Sequence, residues 1–384
     1  MIRKTGGYER SSVAGEEISS FIPYPLPPQD PPLDLQGELA PLLTRAEEHV
    51  RLLDLAGDLA PSVEWFVYAF VRKEAVLSAQ IEGTQATLMD LLATEASGGE
   101  PRDAEVEEVC GYVSALDYAW EELVRETGLP ISMRLLSGAH RRLLSGARGA
   151  QKLPGEVRQS QNWIGGTRPG NAAFVPPPPQ RLGELLSQFE RAVHDESDLP
   201  PLVRIGLLHA QFETLHPFLD GNGRLGRLLI TLLLRHWRLL SQPLLYLSLY
   251  LKTHRLEYYK RLDAVRTDGD WEGWLAFYLE GVAAVAEEAV ATARQLHTIV
   301  TRSRARLVAR GDATVMSLFE ALPEHPILTV SRAVGLLNCS RPAAAKALRV
   351  LEAAQVMRAL NEGKRDRAIV FGEYLDCLRQ GTEL

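Results

Sequence analysis

Cysteine is scarce: Cys110, Cys339 and Cys377 are the three in 384 residues. None lies in a CxxC pair and three cannot all pair within one chain, which excludes a zinc ribbon and a disulfide scaffold and points to a reducing, cytoplasmic setting. Long apolar runs are missing as well. The most apolar stretch, LLITLLL at 228–234, stops at Arg235, far short of the ~20 residues a membrane span needs. The opening text MIRKTGGYERSSVAGEEISS has no apolar stretch behind its basic residues, so neither a secretory leader nor contact with a membrane is expected. Net positive charge is lacking overall, at −7, yet residues 301–384 carry 13 Lys+Arg against 9 Asp+Glu, which is +4 and leaves −11 for the first 300. That asymmetry predicts at least two parts with different surroundings.

What is present is an ordinary globular composition, 46% hydrophobic and 24% charged, with length for two or three domains. The proline-rich text FIPYPLPPQDPPLDL at 21–35 reads as an extended lead-in. Apolar residues then recur at three- and four-residue steps, which predicts helices over 39–55, 62–82, 85–95, 103–126 and 132–144. Gly83 ends the second of these. The text GEVRQSQNWIGGTRPGNAAFVPPPP at 155–179 breaks the pattern: short apolar runs flank RPGN, predicting a β-hairpin over 162–175 closed by four prolines. Helices resume at 181–195, 201–215, 225–240, 255–265 and 270–300, the third buried all round.

The string HPFLDGNGRLGR, at 216–227, carries the chemistry. Gly221, Asn222 and Gly223 are residue types that tolerate positive φ, and a backbone bent in that way turns successive N–H groups into an anion nest at a helix N-terminus. Arg224 and Arg227, three apart, share a face and can clamp phosphate oxygens, and two cations at a helix N-terminus oppose the macrodipole unless an anion binds. Asp220 is a hard oxygen ligand suited to Mg²⁺ bridging phosphates, and His216, with an ordinary pKa near neutrality, suits a general base. A plain loop with solvated arginines is the bland alternative, outweighed by so coherent a set within twelve positions.

The string matches HxFx(D/E)GNGRxxR, and the chain thereby resembles the Fic family of nucleotidyltransferases. The proline-led opening, NWIGG…FVPPPP and HRLEYYKRLDAVRTDGDW extend the likeness over roughly residues 20–300. The resemblance implies a mainly α fold: an N-terminal helical extension at 1–100, a Fic-type helical core with a β-hairpin flap at 101–300, and a winged-helix domain at 301–384. It implies adenylylation of a Ser, Thr or Tyr hydroxyl on a target protein, with ATP as co-substrate and Mg²⁺ as cofactor. His216 would take the hydroxyl proton, Asp220 hold the metal, Gly221, Asn222 and Gly223 cradle the α-phosphate, and Arg224 and Arg227 meet the β- and γ-phosphates. SAQIEG at 78–83 matches the family's inhibitory signature (S/T)xxxE(G/N), so Ser78 and Glu82 are expected at a helix end with Glu82 pairing to Arg227. The same glutamate could be a solvated residue ahead of a capping glycine.

Ile164, Gly165, Gly166 and Thr167 fall in the family's target-binding flap, and Tyr258 and Tyr259 match its tyrosine pair near adenine, of which one is expected to touch nucleotide. Arg266 replaces an asparagine found near adenine in some relatives. From Thr314 the text predicts helices at 315–322, 330–337 and 341–354, then a hairpin with Lys364, Arg365 and Arg367 at its tip. Arg341, Lys346 and Arg349 on the last helix could meet phosphates, giving an alternative function in DNA binding or regulation, with the Fic core a nucleotide sensor. A protein-interaction or homodimer module is favoured over DNA, and self-modification is a further possible outcome.

Overall fold

A computed structural model of the protein describes residues 3–58, 62–98, 101, 103–146, 149–308, 312–360 and 368–384. The chain opens with an antiparallel hairpin, β1 (Gly6–Val13) and β2 (Glu16–Pro23), turning at Ala14 and Gly15, both at positive φ. The sequence signals had missed it. The helices that follow are α1 (Leu39–Asp58), α2 (Val63–Ile81), α3 (Leu88–Ser97), α4 (Ala104–Val124) and α5 (Met133–Leu143). After the flap come α6 (Pro179–His194), α7 (Pro201–Leu215), α8 (Asn222–His236), α9 (Ser248–Thr253), α10 (Arg255–Thr267) and α11 (Trp271–Val308). Proline at the first helical position, where its missing N–H costs nothing, starts both α6 and α7.

The core gathers around α7 and α8. Leu202, Ile205, Leu208, Phe212 and Leu215 on α7 are buried, as are Leu225, Leu228, Leu229, Leu232 and Leu233 on α8. Helix α2 packs against α4 and α9, and α1 lies along α11. The site string therefore joins the two most deeply buried helices, which hold its ends rigidly.

The expected flap hairpin is reduced to one antiparallel bridge between Ile164 and Phe174, with N–H to carbonyl bonds of 2.8 and 3.1 Å. Gly165 and Gly166 adopt positive φ and residues 169–171 form a 3-10 turn, so no ladder propagates. The flap gains support elsewhere: Phe21 N–H of β2 donates to the Val175 carbonyl at 2.9 Å.

Beyond α11 come α12 (Ala313–Glu320), β3 (Ile327–Leu328), α13 (Val330–Leu337), α14 (Arg341–Ala353), β4 (Arg358–Ala359), β5 (Ile369–Val370) and α15 (Gly372–Leu378). The three short strands form an antiparallel sheet in the order β3-β5-β4. Lys364, Arg365 and Arg367 lie outside the described residues, whereas Arg341, Lys346 and Arg349 are exposed on α14. No helix among the described residues is long and apolar enough to cross a membrane.

Candidate active site

Helix α7 ends on His216, whose backbone takes the left-handed conformation at φ 46°. Such a backbone is uncommon for a residue with a Cβ and persists only where the surroundings enforce it. Arg158 does so. Its Nε donates to the His216 carbonyl at 2.9 Å and its Nη2 to the Pro177 carbonyl at 2.6 Å, while its own N–H bonds the Pro217 carbonyl. This guanidinium, 1% exposed, ties the base of the flap to the site, and burial pushes its pKa down to about 10. Arg158→Met should therefore lower unfolding stability by about 3 kcal/mol, because several buried carbonyls lose a charged donor. Chemical denaturation checks this, and a loss under about 1 kcal/mol would contradict it.

Gly221 alone in the GNG triplet has positive φ, at 73°. The expectation that Asn222 and Gly223 bend likewise is corrected: α8 begins at Asn222, three residues earlier than its apolar pattern suggested, and both lie in its first turn. The Asn222 side chain is turned into the loop. Its Oδ1 accepts from Phe218 N–H at 2.9 Å and its Nδ2 donates to the Phe218 carbonyl at 2.8 Å, so the amide closes the loop and leaves only the backbone for a ligand. The first intrahelical bond runs from Leu225 N–H to the Gly221 carbonyl, which leaves the amides of residues 222–224 at the open helix end. Gly223 is needed for close approach: a Cβ there would stand 2.3 Å from Glu82 Oε1.

His140 fixes the loop from below. Gly155 N–H donates to its Nδ1 at 2.8 Å, so Nε2 carries the proton and donates to the Asp220 carbonyl at 2.9 Å. Its ring stacks on Phe218 with centroids 3.9 Å apart, and burial pushes its pKa down to about 4. The Asp220 carboxylate stays 46% exposed, 3.6 Å from Arg224 Nη2. Among the described residues no cluster of three or more His, Cys, Asp or Glu is arranged to hold a metal. Asp220 with phosphate oxygens and water is nevertheless the kind of donor set Mg²⁺ uses.

Both arginines are buried, Arg224 at 5% and Arg227 at 2% exposure. Arg224 lies 3.5 Å from Glu108 Oε2, but its Nε and Nη1 make no hydrogen bond, an unmet demand that an anion would satisfy. Arg227 is held by three hydrogen bonds. Its Nε donates to Ser78 Oγ at 2.8 Å, and its Nη2 donates to the Ser78 carbonyl at 2.9 Å and to Glu82 Oε1 at 2.7 Å. Glu82 caps α2, with Gly83 at φ 101° after it. Burial opposes ionisation of Glu82, but the nearby guanidinium of Arg227 outweighs it and holds the carboxyl below its ordinary value.

Burial, with Arg158 adding to it, pushes His216 down to about 4, so the imidazole is neutral near pH 7. Of the tyrosine pair, Tyr259 is 41% exposed, beside Glu82 and Arg227. Tyr258 is 1% exposed with its hydroxyl 2.8 Å from His209 Nε2, so it supports the site from behind and offers no face for stacking on a base. Arg266 is turned to the flap: its Nε donates to Thr214 Oγ1 at 3.2 Å and its guanidinium lies 3.9 Å from the centre of the Phe174 ring. Gly165, Gly166 and Thr167 are exposed and Ile164 half-buried on the flap.

Sequence spacing missed Arg158, His140 and Glu213. Glu213, one turn before His216, is 7% exposed with Oε1 unpartnered, and burial pushes it up to about 7 beside Arg227 and Arg266. Arg158 and His140 act on parts of the chain far from them in sequence, so no local signal identifies them.

Residues 40–121 match the Fic/DOC family N-terminal profile and residues 130–234 the Fic/DOC family profile. Proteins named protein adenylyltransferase Fic from Drosophila yakuba and Drosophila melanogaster are each 34% identical over 164 residues, 41% of this chain and 31% of theirs, so the match spans about a third of those relatives. A crystal structure of a Fic family protein from Desulfovibrio desulfuricans superposes with a TM-score of 0.55 at 21% identity, covering 89% of this chain and 98% of that one. A Fic domain-containing signaling protein from Bacteroides thetaiotaomicron gives 0.52 at 18% identity over 67% of this chain and 98% of that one. Motif and both profiles agree: residues 40–121 and 130–234 are the N-terminal and Fic domains of the Fic/DOC family.

Proposed function

We infer that the chain transfers AMP from ATP to a Ser, Thr or Tyr hydroxyl of a target protein and releases pyrophosphate. The observation that carries this reading is the convergence at one helix N-terminus of open amides, an under-bonded buried guanidinium, an exposed carboxylate and a neutral imidazole. Neutral His216 accepts the hydroxyl proton as the oxygen attacks the α-phosphorus. The amides of residues 222–224 and the Arg224 guanidinium hold phosphate oxygens, and placement of charge where it develops is the main catalytic resource for such a reaction. Mg²⁺ held at Asp220 would supply charge neutralisation between the α- and β-phosphates. Tyr259 offers its exposed face to adenine, and residues 164–167 offer an edge to the target segment.

Arg227 belongs to the γ-phosphate in this reading and is withheld by Glu82, so the chain rests in a weakly active state. Residues 301–384 are read as a winged-helix module for protein contact or self-association, since the helix–helix–sheet order suits it. Lys346 on α14 is already within 3.4 Å of Asp312, which leaves less free charge for DNA. The test of the activity is transfer of α-labelled AMP from ATP, by the Glu82→Gly form, to protein in a lysate or to itself. Label that never becomes covalently bound contradicts the reading.

The depressed His216 pKa adds a pH dependence. The neutral form persists to lower pH than for an ordinary imidazole of 6.5, so kcat/KM for ATP, which reports groups of the free enzyme, should stay level through 6.5 and fall only as the pH approaches about 4. An acid limb centred at or above about 6.5, the ordinary imidazole value, would contradict the assignment.

A further inference from the structure

We propose that Gln80 is a positioning residue for the Glu82 carboxylate, and that the segment 379–384 after α15 sets it, so that the part of the chain beyond α11 controls how firmly Arg227 is withheld. The proposal rests on the reading of Glu82 as a restraint on the phosphate site. Gln80 stands in the last turn of α2, two residues before Glu82, and is 8% exposed. Its Nε2 donates to the Ala86 carbonyl at 3.0 Å and to the Thr382 carbonyl at 2.9 Å, while its Oε1 has no partner. A buried amide with an unmet acceptor depends on both donors being used. The bond to Ala86 closes the turn that displays Glu82, and the bond to Thr382 fastens that turn to the far end of the sequence.

The segment is itself pinned. Thr382 is 2% exposed, with its N–H and Oγ1 both on the Arg379 carbonyl. Lys252 Nζ of α9 donates to the carbonyls of Gly381 and Glu383. Gly381 has φ 80°, and a Cβ there would stand 2.5 Å from Leu249 Cδ1 of the same helix. The segment thus lies between α9 and the end of α2, while α15, which leads into it, packs on α11. A partner that shifts the unit formed by α12–α15 would draw the Thr382 carbonyl from Gln80, loosen the turn at 82–85 and let Glu82 leave Arg227. The turn is also held by Gly83 N–H on the Gln80 carbonyl and Thr84 N–H on the Ala79 carbonyl, and from α4, where Thr84 Oγ1 donates to Glu108 and Gln85 N–H to Glu105.

The test compares the parent chain with Gln80→Met, with Lys252→Met and with a deletion of residues 380–384, each alone and combined with Glu82→Gly. Labelling of the chain by AMP should rise about fivefold to tenfold in the single forms, the equilibrium shift expected from one buried hydrogen bond, with no further rise in the Glu82→Gly background. Amide hydrogen exchange over 79–85 should quicken in all of them. Unchanged exchange, or a rise that multiplies with that of Glu82→Gly, overturns the proposal. If Glu82→Gly itself transfers no AMP, the proposed activity fails and exchange alone decides: faster exchange over 79–85 upholds the latch, unchanged exchange overturns it. Lys252→Met serves where the deletion does not fold.

Discussion

Replacing Glu82 with glycine is expected to raise AMP transfer by about 10- to 100-fold. In the resting chain the carboxylate takes one guanidinium nitrogen of Arg227 at 2.7 Å, on a side chain that is 2% exposed. Breaking a buried ion pair costs about 3–5 kcal/mol. Glu82 is 37% exposed, so only part of that energy holds the closed arrangement. About 1.4 to 2.8 kcal/mol suffices for the stated range, since 1.4 kcal/mol is a factor of ten. Ser78 still bonds Arg227 after the change, which keeps the guanidinium in place for a phosphate. Initial rates of AMP incorporation measure the effect. Rates equal to or below those of the parent chain would show that the pair is structural and not a restraint.

Replacing His216 with alanine in the Glu82→Gly background is expected to lower transfer by about 10²- to 10⁴-fold, the range for a positioned general base. Affinity for ATP should change little, because the phosphate contacts fall to the amides of residues 222–224 and to Arg224. The split separates proton transfer from binding: a comparable loss of nucleotide affinity would move His216 out of the base role and into the fold of the loop. That alternative has a physical basis. The His216 carbonyl is a partner of Arg158, and the left-handed backbone at 216 shapes the turn into α8.

Much of the scaffold was legible because amphipathic spacing and prolines marked it. Helices α7 and α13 run over 201–215 and 330–337, the ranges their patterns predict. The β1–β2 hairpin was not legible: β1 is exposed along nearly its whole length, so it shows no alternation of apolar and polar residues. Helices α9 and α15, six and seven residues long, are too short to display a helical period. At the site, the linear string named the right residue types, but which way each side chain turns depends on distant parts of the chain. Asn222 turns to Phe218, Tyr258 to His209 and Arg266 to Thr214 and Phe174. The pairing of Arg227 with Glu82 spans 145 residues, and it was legible only because two separate motifs happened to name both ends.

The central claim is that this site moves AMP onto a hydroxyl and that His216 takes the proton. Intact-mass measurement of the Glu82→Gly chain and of the Glu82→Gly, His216→Ala chain, each incubated with ATP and Mg²⁺ in the presence of cell extract, tests it most directly. The account predicts proteins bearing one added AMP, mapped by fragmentation to Ser, Thr or Tyr hydroxyls, with the first chain and none with the second. Adducts formed equally by both chains, or by neither, would contradict it.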